Sequence, residues 1–113
     1  MLPSAGDIAW VEFDPALGTE QAGRRPALIL SGREYHEASA RAVVCPITKR
    51  ARLWPFEVHL PPMLKTRGVV LVDQIRTIDR SQRLFEVIET APEEVLVEVQ
   101  NKLAALIGIS LTP

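Results

Sequence analysis

A short polar segment between two apolar runs concentrates residue types that could do chemistry. Residues 18–26, GTEQAGRRP, hold a carboxylate, an amide and two arginines. A turn between strands usually needs only two to five residues, so these side chains exceed what a connection requires. Arg25 stands immediately before Pro26, which favours an extended backbone and would anchor its guanidinium at the end of a strand. Guanidinium groups bind phosphate through paired hydrogen bonds, although an exposed loop cation would also explain Arg25.

Two further positions fit the same chemistry. Thr48 ends an apolar run and precedes the basic stretch 49–52, KRAR. Its hydroxyl could bind a phosphate, although threonine is also favoured in strands for its shape alone. Asp73 interrupts an apolar run, where a lone carboxylate is costly unless it is paired or functional. A bulge or an ion pair with Arg76 would also explain Asp73.

Charge is distributed unevenly along the 113-residue chain, although its net charge is only −1. Residues 1–23 hold four acids and no base, and residues 84–113 hold five acids and one base. Residues 24–83 hold twelve bases and five acids, so their net charge is +7. A segregated basic block is typical of a face that binds phosphate groups. Scattered surface charge would give the same count.

Several classes of protein are disfavoured by the sequence. The one cysteine, Cys45, lies in an apolar run, which favours a small buried hydrophobic side chain. Because it has no partner for an intramolecular disulfide, the sequence indicates a reducing compartment. His36 and His59 are 23 residues apart with no cysteine pair nearby, so we expect no metal site. We expect no cofactor either, since no phosphate-binding glycine loop is present. Without a membrane span or a signal-peptide pattern, the sequence predicts a cytoplasmic protein with no membrane partner.

The apolar pattern predicts about six short strands. They cover residues 8–13, 27–31, 42–48, 55–60, 69–79 and 84–90, and residues 33–40 are compatible with a short helical turn. Pro46 indicates an edge or a bulge in the third strand. Alternation in the fourth strand places Glu57 and His59 on a solvated face. The fifth strand is expected to bend near Asp73.

One amphipathic helix is predicted at the end of the chain. Thr90 and Glu93 have the spacing of an N-terminal capping box, and Gly108 provides a stop. An apolar stripe between them consists of Leu96, Val99, Leu103, Leu106 and Ile107. The connections are too short for parallel crossovers. Residues 1–113 therefore predict one mainly β (α+β) domain: a small, strongly curved antiparallel barrel or sandwich packed on the terminal helix.

The order of several segments resembles that of the MazF/PemK/Kid family of toxin endoribonucleases. The segments are GDIAWVEFDPALGTEQAGRRPALILS, VVCPIT, WPFEVHL, GVVLVDQIRTID and the terminal helix, and WPFEVHL is most similar to the MazF branch. This resemblance covers residues 6–108, nearly the whole chain. It implies a compact SH3-like barrel of the CcdB/PemK type that forms a symmetric homodimer. It also implies a type II toxin that cleaves single-stranded RNA, mRNA included, at short specific sequences. The cleavage needs no metal ion or cofactor and inhibits translation and growth.

The resemblance assigns catalytic roles to four residues. Arg25 matches the family's catalytic arginine, and Thr48 matches the threonine of its PxT motif. Glu20 matches the loop glutamate implicated in some MazF-like members. Asp73 matches the aspartate proposed as the general base in Kid-like members.

Two departures from the Kid-like pattern limit this transfer. Kid-like toxins carry an arginine where this chain has Leu71 and a histidine where it has Thr19. The MazF-type pair of arginine and threonine can therefore be transferred, whereas the Kid-type acid and base cannot be transferred intact. Glu20 and Asp73 remain alternative bases.

Basic, polar and aromatic residues around these positions are predicted to bind RNA. They are Arg24, Lys49, Arg50, Arg52, Trp54, Phe56, Gln74 and Arg76. For the two aromatic residues, a place in the core or in a dimer interface is equally open. The resemblance also implies an acidic, MazE-like antitoxin with a disordered tail that folds into the basic groove.

Two other functions remain open. A gyrase poison similar to CcdB would share the barrel but would need no phosphate-cleaving site. A non-catalytic RNA-binding barrel would keep only the basic face. The pairing of GTEQAGRRP with PIT favours the nuclease over both.

Overall fold

The computed structural model describes residues 2–110, except for the side chain of Phe85. This part of the chain forms seven β-strands, three α-helices and one 3₁₀ turn. Their bounds are β1 Asp7–Glu12, β2 Arg24–Ile29, α1 Arg33–Ala38, β3 Arg41–Thr48, β4 Glu57–His59, β5 Val69–Leu71, the 3₁₀ turn Val72–Gln74, β6 Arg76–Asp79, α2 Arg80–Arg83, β7 Leu84–Thr90 and α3 Glu93–Ile107. The predicted strands and terminal helix are present, and α2 is an element that the apolar pattern did not indicate.

The strands form one antiparallel sheet with β3 near its centre. Their order is β4-β5-β3-β2-β1-β7, and β6 pairs with the first half of β3. The expectation of an edge at Pro46 is wrong, because β3 has neighbours on both sides and Pro46 lies where its partner changes from β6 to β5. The carbonyl of Val43 accepts from the Leu30 N–H on the β2 side. Successive residues of a strand direct their N–H groups to opposite sides, so the nitrogen of Pro46 faces away from β2. On that side the partner of β3 changes from β6 to β5 at this point, so the proline removes no hydrogen bond from the ladder.

Both faces of the central strands are buried, because adjacent residues point to opposite sides of a sheet. On one face, Ile8 and Leu28 belong to a cluster that packs against α3 through Val95 and Val99. On the other face, a second cluster is enclosed by the curvature of the sheet. Its members are Ala9, Val11, Phe13, Ala27, Ile29, Ala42, Val44 and Ile78. The predicted curved antiparallel sheet packed on a helix is therefore confirmed.

The bend expected near Asp73 is a complete break in the strand. The 3₁₀ turn Val72–Gln74 separates β5 from β6, although both strands pair with β3. The turn buries Val72 in the core and leaves Asp73 exposed. The Asp73 carboxylate therefore avoids the desolvation cost that it would have inside a buried strand.

The ends of α3 follow the sequence only in part. Gly108 ends the helix in the left-handed region, with φ of +79°, as predicted. The capping box is wrong, since Pro92 occupies the N-cap position with no side-chain bond. The hydroxyl of Thr90 instead donates to the carboxylate of Asp7, which ties the end of β7 to β1.

The buried face of α3 differs slightly from the predicted stripe. Val95 and Val99 are buried, and Leu96 and Leu103 pack partly against the same cluster. Leu106, Ile107 and Ile109 are exposed at the end of the chain. The helix therefore packs on the sheet from Val95 to Ala104, which is also buried.

Candidate active site

A groove of about 1260 Å³ lies where β2 begins, β3 ends and several loops meet. Loops 49–56 and 60–68 both contribute to its walls, as does loop 13–23. Among the described residues, its lining includes seven cationic side chains and two acidic ones. The cations are Arg24, Arg25, Lys49, Arg50, Arg52, Lys65 and Arg67. The basic block of the sequence therefore converges on one concave surface, where its charges reinforce one another.

Arg25 lies near the start of β2 with its guanidinium held by backbone carbonyls. Its Nε–H donates to the carbonyl of Ala22 at 3.0 Å, and its Nη1 donates to that of Ile47 at 3.4 Å. The register that pairs Ala27 with Pro46, extended by two residues, places Arg25 opposite Thr48. The remaining N–H groups of this five-donor side chain are available to a phosphate.

Thr48 is almost completely buried at the end of β3, with 8% of its surface exposed. Its Oγ1 accepts a hydrogen bond from the N–H of Arg50 at 3.2 Å, which leaves the hydroxyl hydrogen available for a ligand. Gly68 approaches the same residue from the 60–68 loop. A Cβ atom added there would stand 2.1 Å from the carbonyl oxygen of Thr48, so only glycine permits this approach.

The 49–56 loop is shaped by Glu57, which the sequence placed on a solvated face. That placement is wrong, because Glu57 is only 4% exposed. Its carboxylate accepts from the Arg52 N–H at 3.0 and 3.1 Å and from the Trp54 N–H at 3.3 Å. Leu53 lies between these donors with φ of +59° and 88% of its surface exposed. A buried carboxylate requires such donors, so its burial and the course of the loop depend on each other.

The two candidate bases lie in different places. Asp73 lines the groove, and its Oδ2 accepts from the indole Nε1–H of Trp54 at 3.0 Å. Arg76, the ion-pair partner considered for Asp73, instead donates to the carbonyl of Phe13. Glu20 is not among the groove-lining residues, and its Oε1 accepts from the N–H of Leu17 at 2.7 Å within its own loop.

Six of the eight residues predicted to bind RNA line the groove. They are Arg24, Lys49, Arg50, Arg52, Trp54 and Gln74. Gln74 accepts from the N–H of Gln21 at 2.7 Å, so it also ties the 13–23 loop to the 3₁₀ turn. Phe56 and Arg76 do not line the groove. Phe56 packs against the core beside Trp54, and Arg76 donates to the carbonyl of Phe13 and lies over its ring.

The structure also brings into the groove residues that the sequence did not single out. They include Trp10, Lys65, Thr66, Arg67 and Ile88. Trp10 lies in β1 opposite Pro26, which directly follows Arg25 in the sequence. Lys65 and Arg67 contributed to the charge of the basic block, but the sequence did not predict that they line the groove. The residue types of a loop do not show which way the fold directs it.

The environment of Cys45 agrees with the expectation from the sequence. Cys45 is fully buried, and burial, with a smaller contribution from the charge of Asp73, raises the pKa of its thiol to about 12. It is therefore protonated and unreactive, as predicted for a buried hydrophobe.

Within residues 2–110, no group of three or more His, Cys, Asp or Glu side chains could hold a metal ion. In the same residues, no helix is long and apolar enough to cross a membrane.

Comparisons with known proteins agree with this architecture. Residues 4–107 match a family described as the PemK-like, MazF-like toxin of type II toxin–antitoxin system. The endoribonuclease toxin MazF of Escherichia coli K12 is 38% identical over 108 residues, covering 95% of this chain and 96% of that protein. The crystal structure of MazF (Form-I) from Deinococcus radiodurans is 45% identical with a TM-score of 0.92, covering 96% of this chain and 99% of that one. A MazE–MazF crystal structure (Form-II) from the same organism is 46% identical, with a TM-score of 0.84 and coverage of 97% and 99%.

The fold is therefore that of the MazF structures, a small curved antiparallel β protein with a terminal helix. The chain belongs to the family of PemK-like and MazF-like toxins of type II toxin–antitoxin systems.

Proposed function

We propose that this protein is a type II toxin that cleaves single-stranded RNA, above all mRNA, in the cytoplasm and thereby inhibits translation. One observation carries the proposal: Arg25 and Thr48 meet across the β2–β3 register in a groove lined by seven cationic side chains. Relatives covering most of the chain are named endoribonucleases. A basic groove with a guanidinium and a hydroxyl at one point suits a phosphodiester better than an uncharged substrate.

In the proposed reaction, the 2′-hydroxyl of RNA attacks the adjacent phosphorus and the bond from phosphorus to the 5′ oxygen breaks. The products are a 2′,3′-cyclic phosphate and a 5′-hydroxyl. Negative charge grows on the phosphoryl oxygens during the attack, and Arg25 and Thr48 donate hydrogen bonds to them. In this scheme the guanidinium supplies the positive charge, and neither a metal ion nor a cofactor takes part.

The attacking hydroxyl must lose a proton and the leaving oxygen must gain one. Asp73 is favoured as the base because it lines the groove, and its Oδ1 remains able to accept when Trp54 bonds Oδ2. Glu20 would require a movement of its loop to reach the same substrate. The leaving 5′ oxygen takes its proton from solvent or from Arg25, which is a weak acid because the pKa of arginine lies above about 12.

The rest of the groove is proposed to hold the RNA strand and, in its absence, an antitoxin. Arg24, Lys49, Arg50 and Arg52 bind backbone phosphates, and the half-exposed ring of Trp54 stacks on a base. A solved relative forms a MazE–MazF complex. We propose a corresponding acidic partner whose disordered tail folds into the groove of a homodimer of this toxin, attracted by the +7 block.

Incubating the purified protein with RNA in EDTA and mapping the product ends tests this function. We expect cyclic-phosphate and 5′-hydroxyl ends from the native protein. Arg25→Ala should reduce kcat about 100- to 1000-fold with an unchanged circular dichroism spectrum, and Thr48→Val should also reduce it. Arg33→Ala is the matched control, since Arg33 is an exposed arginine that does not line the groove.

Each alternative result would contradict the proposal in its own way. Full activity of Arg25→Ala would contradict the role of that arginine. Intact RNA together with inhibited DNA gyrase would indicate a gyrase poison. RNA binding without cleavage by the native protein would indicate a non-catalytic RNA-binding barrel.

A further inference from the structure

We propose that Lys65 and Arg67 form a second phosphate-binding strip of the groove, and that Glu89 is the positioning residue that holds this strip in place. The strip belongs to the 60–68 loop and is separate from the basic residues of the 49–56 loop. The proposal rests on the proposed function, since it names where the same RNA strand continues beyond Arg25 and Thr48.

The 60–68 loop is anchored to β7 by a single carboxylate. Glu89 accepts hydrogen bonds from the N–H of Lys65 at 3.0 Å, from the N–H of Thr66 at 2.8 Å and from the hydroxyl of Thr66 at 2.7 Å. Thr66 is buried, whereas Lys65 and Arg67 on either side of it are exposed and line the groove. The anchor therefore fixes the residue between two cations and leaves both cations exposed to a ligand.

The position of this strip is also fixed relative to the proposed catalytic threonine. Gly68 follows Arg67 directly, and its Cα approaches the carbonyl of Thr48 so closely that a Cβ would stand 2.1 Å from it. Val69, the next residue, pairs with Thr48 in the β3–β5 ladder. An RNA strand bound at Thr48 therefore has Lys65 and Arg67 within the same groove.

The carboxylate of Glu89 offsets the attraction of the strip for phosphate only in part, because its one negative charge lies beside two cations. Its hydrogen-bonding capacity is directed at the loop backbone and at Thr66. Arg67 donates through Nη1 to the carbonyl of Pro62 at 2.9 Å. This bond orients the guanidinium group and leaves its other N–H groups for a ligand. Two cationic side chains held in this way should each neutralise a backbone phosphate.

Counterion release makes the number of phosphate contacts measurable. Each contact with a single strand contributes about −0.7 to the slope of log K against log salt concentration. Binding of an oligonucleotide with 2′-deoxy substitutions, which cannot be cleaved, should be measured at several NaCl concentrations. The Lys65→Ala/Arg67→Ala variant should bind more weakly, and its slope should be shallower by about 1.4.

The matched control is the double variant Arg33→Ala/Arg41→Ala, which removes the same charge from two exposed arginines that do not line the groove. Its salt slope should equal that of the native protein. An unchanged slope in the Lys65→Ala/Arg67→Ala variant, or an equal loss in the control, would overturn the strip. If the native protein binds with the predicted slopes but does not cleave RNA, the nuclease function fails while the strip stands.

Glu89→Gln tests the positioning role. Glutamine keeps one acceptor oxygen but turns an NH₂ group toward the loop amides, so the anchor is weakened while the cations remain. We expect a higher KM for RNA cleavage, an unchanged kcat and a shallower salt slope, with an unchanged circular dichroism spectrum. A native salt slope and KM in Glu89→Gln would contradict the role of Glu89.

Discussion

The 49–56 and 60–68 loops border the same groove, and a carboxylate from a strand holds each of them. Glu57 holds the first loop from a buried position, with bonds to the amides on both sides of Leu53. Glu89 holds the second loop from a half-buried position, with bonds to Lys65 and Thr66. Each loop is therefore held by hydrogen bonds to a carboxylate, but the two carboxylates differ in their exposure to water. Loss of these bonds costs more free energy of unfolding where the carboxylate is buried.

The two loops also differ in how they use a positive φ angle. Leu53 has φ of +59° at an exposed tip. Gly68 has φ of +118° against the backbone of Thr48. An L-residue in the first loop costs conformational energy but meets no obstacle, whereas the second loop has no room for any side chain. The first loop can therefore change its tip residue freely, and the second cannot change its glycine.

The largest effect should come from Gly68→Ala. Its Cβ would overlap the carbonyl of Thr48, and backbone atoms cannot move aside as a flexible side chain can. We expect a loss of about 3 kcal/mol in the free energy of unfolding, measured by urea denaturation. Gly32→Ala is the control, because no described atom beyond Gly32 and its two chain neighbours lies within 4 Å of the added Cβ. It should cost at most about 1 kcal/mol. Equal costs would show that the 60–68 loop does not depend on this close approach.

Glu57→Gln should have the next largest effect. The substitution gives this buried side chain an NH₂ group that points toward the N–H groups of Arg52 and Trp54. A buried donor left without an acceptor costs about 1–3 kcal/mol. The same substitution at Glu89, which is more exposed, should cost less. Urea denaturation of the two variants compares the loops directly, and a larger loss for Glu89→Gln would reverse the proposed order.

Leu53→Gly should stabilise the protein slightly. It removes the cost of a left-handed L-residue, about 1–2 kcal/mol, and adds the entropy cost of glycine, about 0.5–1 kcal/mol. The net gain should be below about 1.5 kcal/mol. Leu53→Ala keeps the Cβ atom and should give no gain, and equal stability changes in the two variants would argue against backbone strain at this tip.

The smallest effect should appear as a pH dependence of the Glu89 anchor. Burial raises the pKa of this carboxyl, but hydrogen bonds from Lys65 and Thr66, together with the charge of Lys65, outweigh it and lower the pKa below the ordinary value of 4.5. A carboxyl with a lowered pKa stabilises the folded state above its unfolded pKa, and this contribution is lost as the pH falls through the folded value. The Tm difference between native protein and Glu89→Gln should therefore shrink on acidification from about pH 6 to about pH 3. A constant difference would contradict this linkage.

Much of the fold follows from local patterns, and the failures have identifiable causes. Alternation and apolar runs predict most strands within a few residues, since burial on one or both faces imposes that pattern. Alternation failed at Glu57 because a neighbouring loop supplies amide donors that allow a carboxylate to be buried. The capping box failed at Thr90 because Asp7, distant in sequence, binds the same hydroxyl.

The candidate site could be predicted where its residues are fixed by their own strands. Arg25 and Thr48 lie at strand ends that the sequence indicates, and they meet because β2 and β3 are antiparallel neighbours. Glu20, Phe56 and Arg76 were grouped with them but do not line the groove. Their positions depend on a loop turn, a core contact and the ring of Phe13, none of which leaves a local signal.

The sequence by itself determined the order of the elements, the segregation of basic residues into one block and the family to which the chain belongs. These properties depend on residue type and on spacing along the chain. Only the tertiary structure decided that Lys65 and Arg67 share a groove with Arg25 and Thr48 and that Glu57 is buried. The physical reason is that loop positions are set by contacts between residues far apart in sequence: Glu89 reaches Thr66 across 23 residues, and Gly68 meets Thr48 because two strands pair.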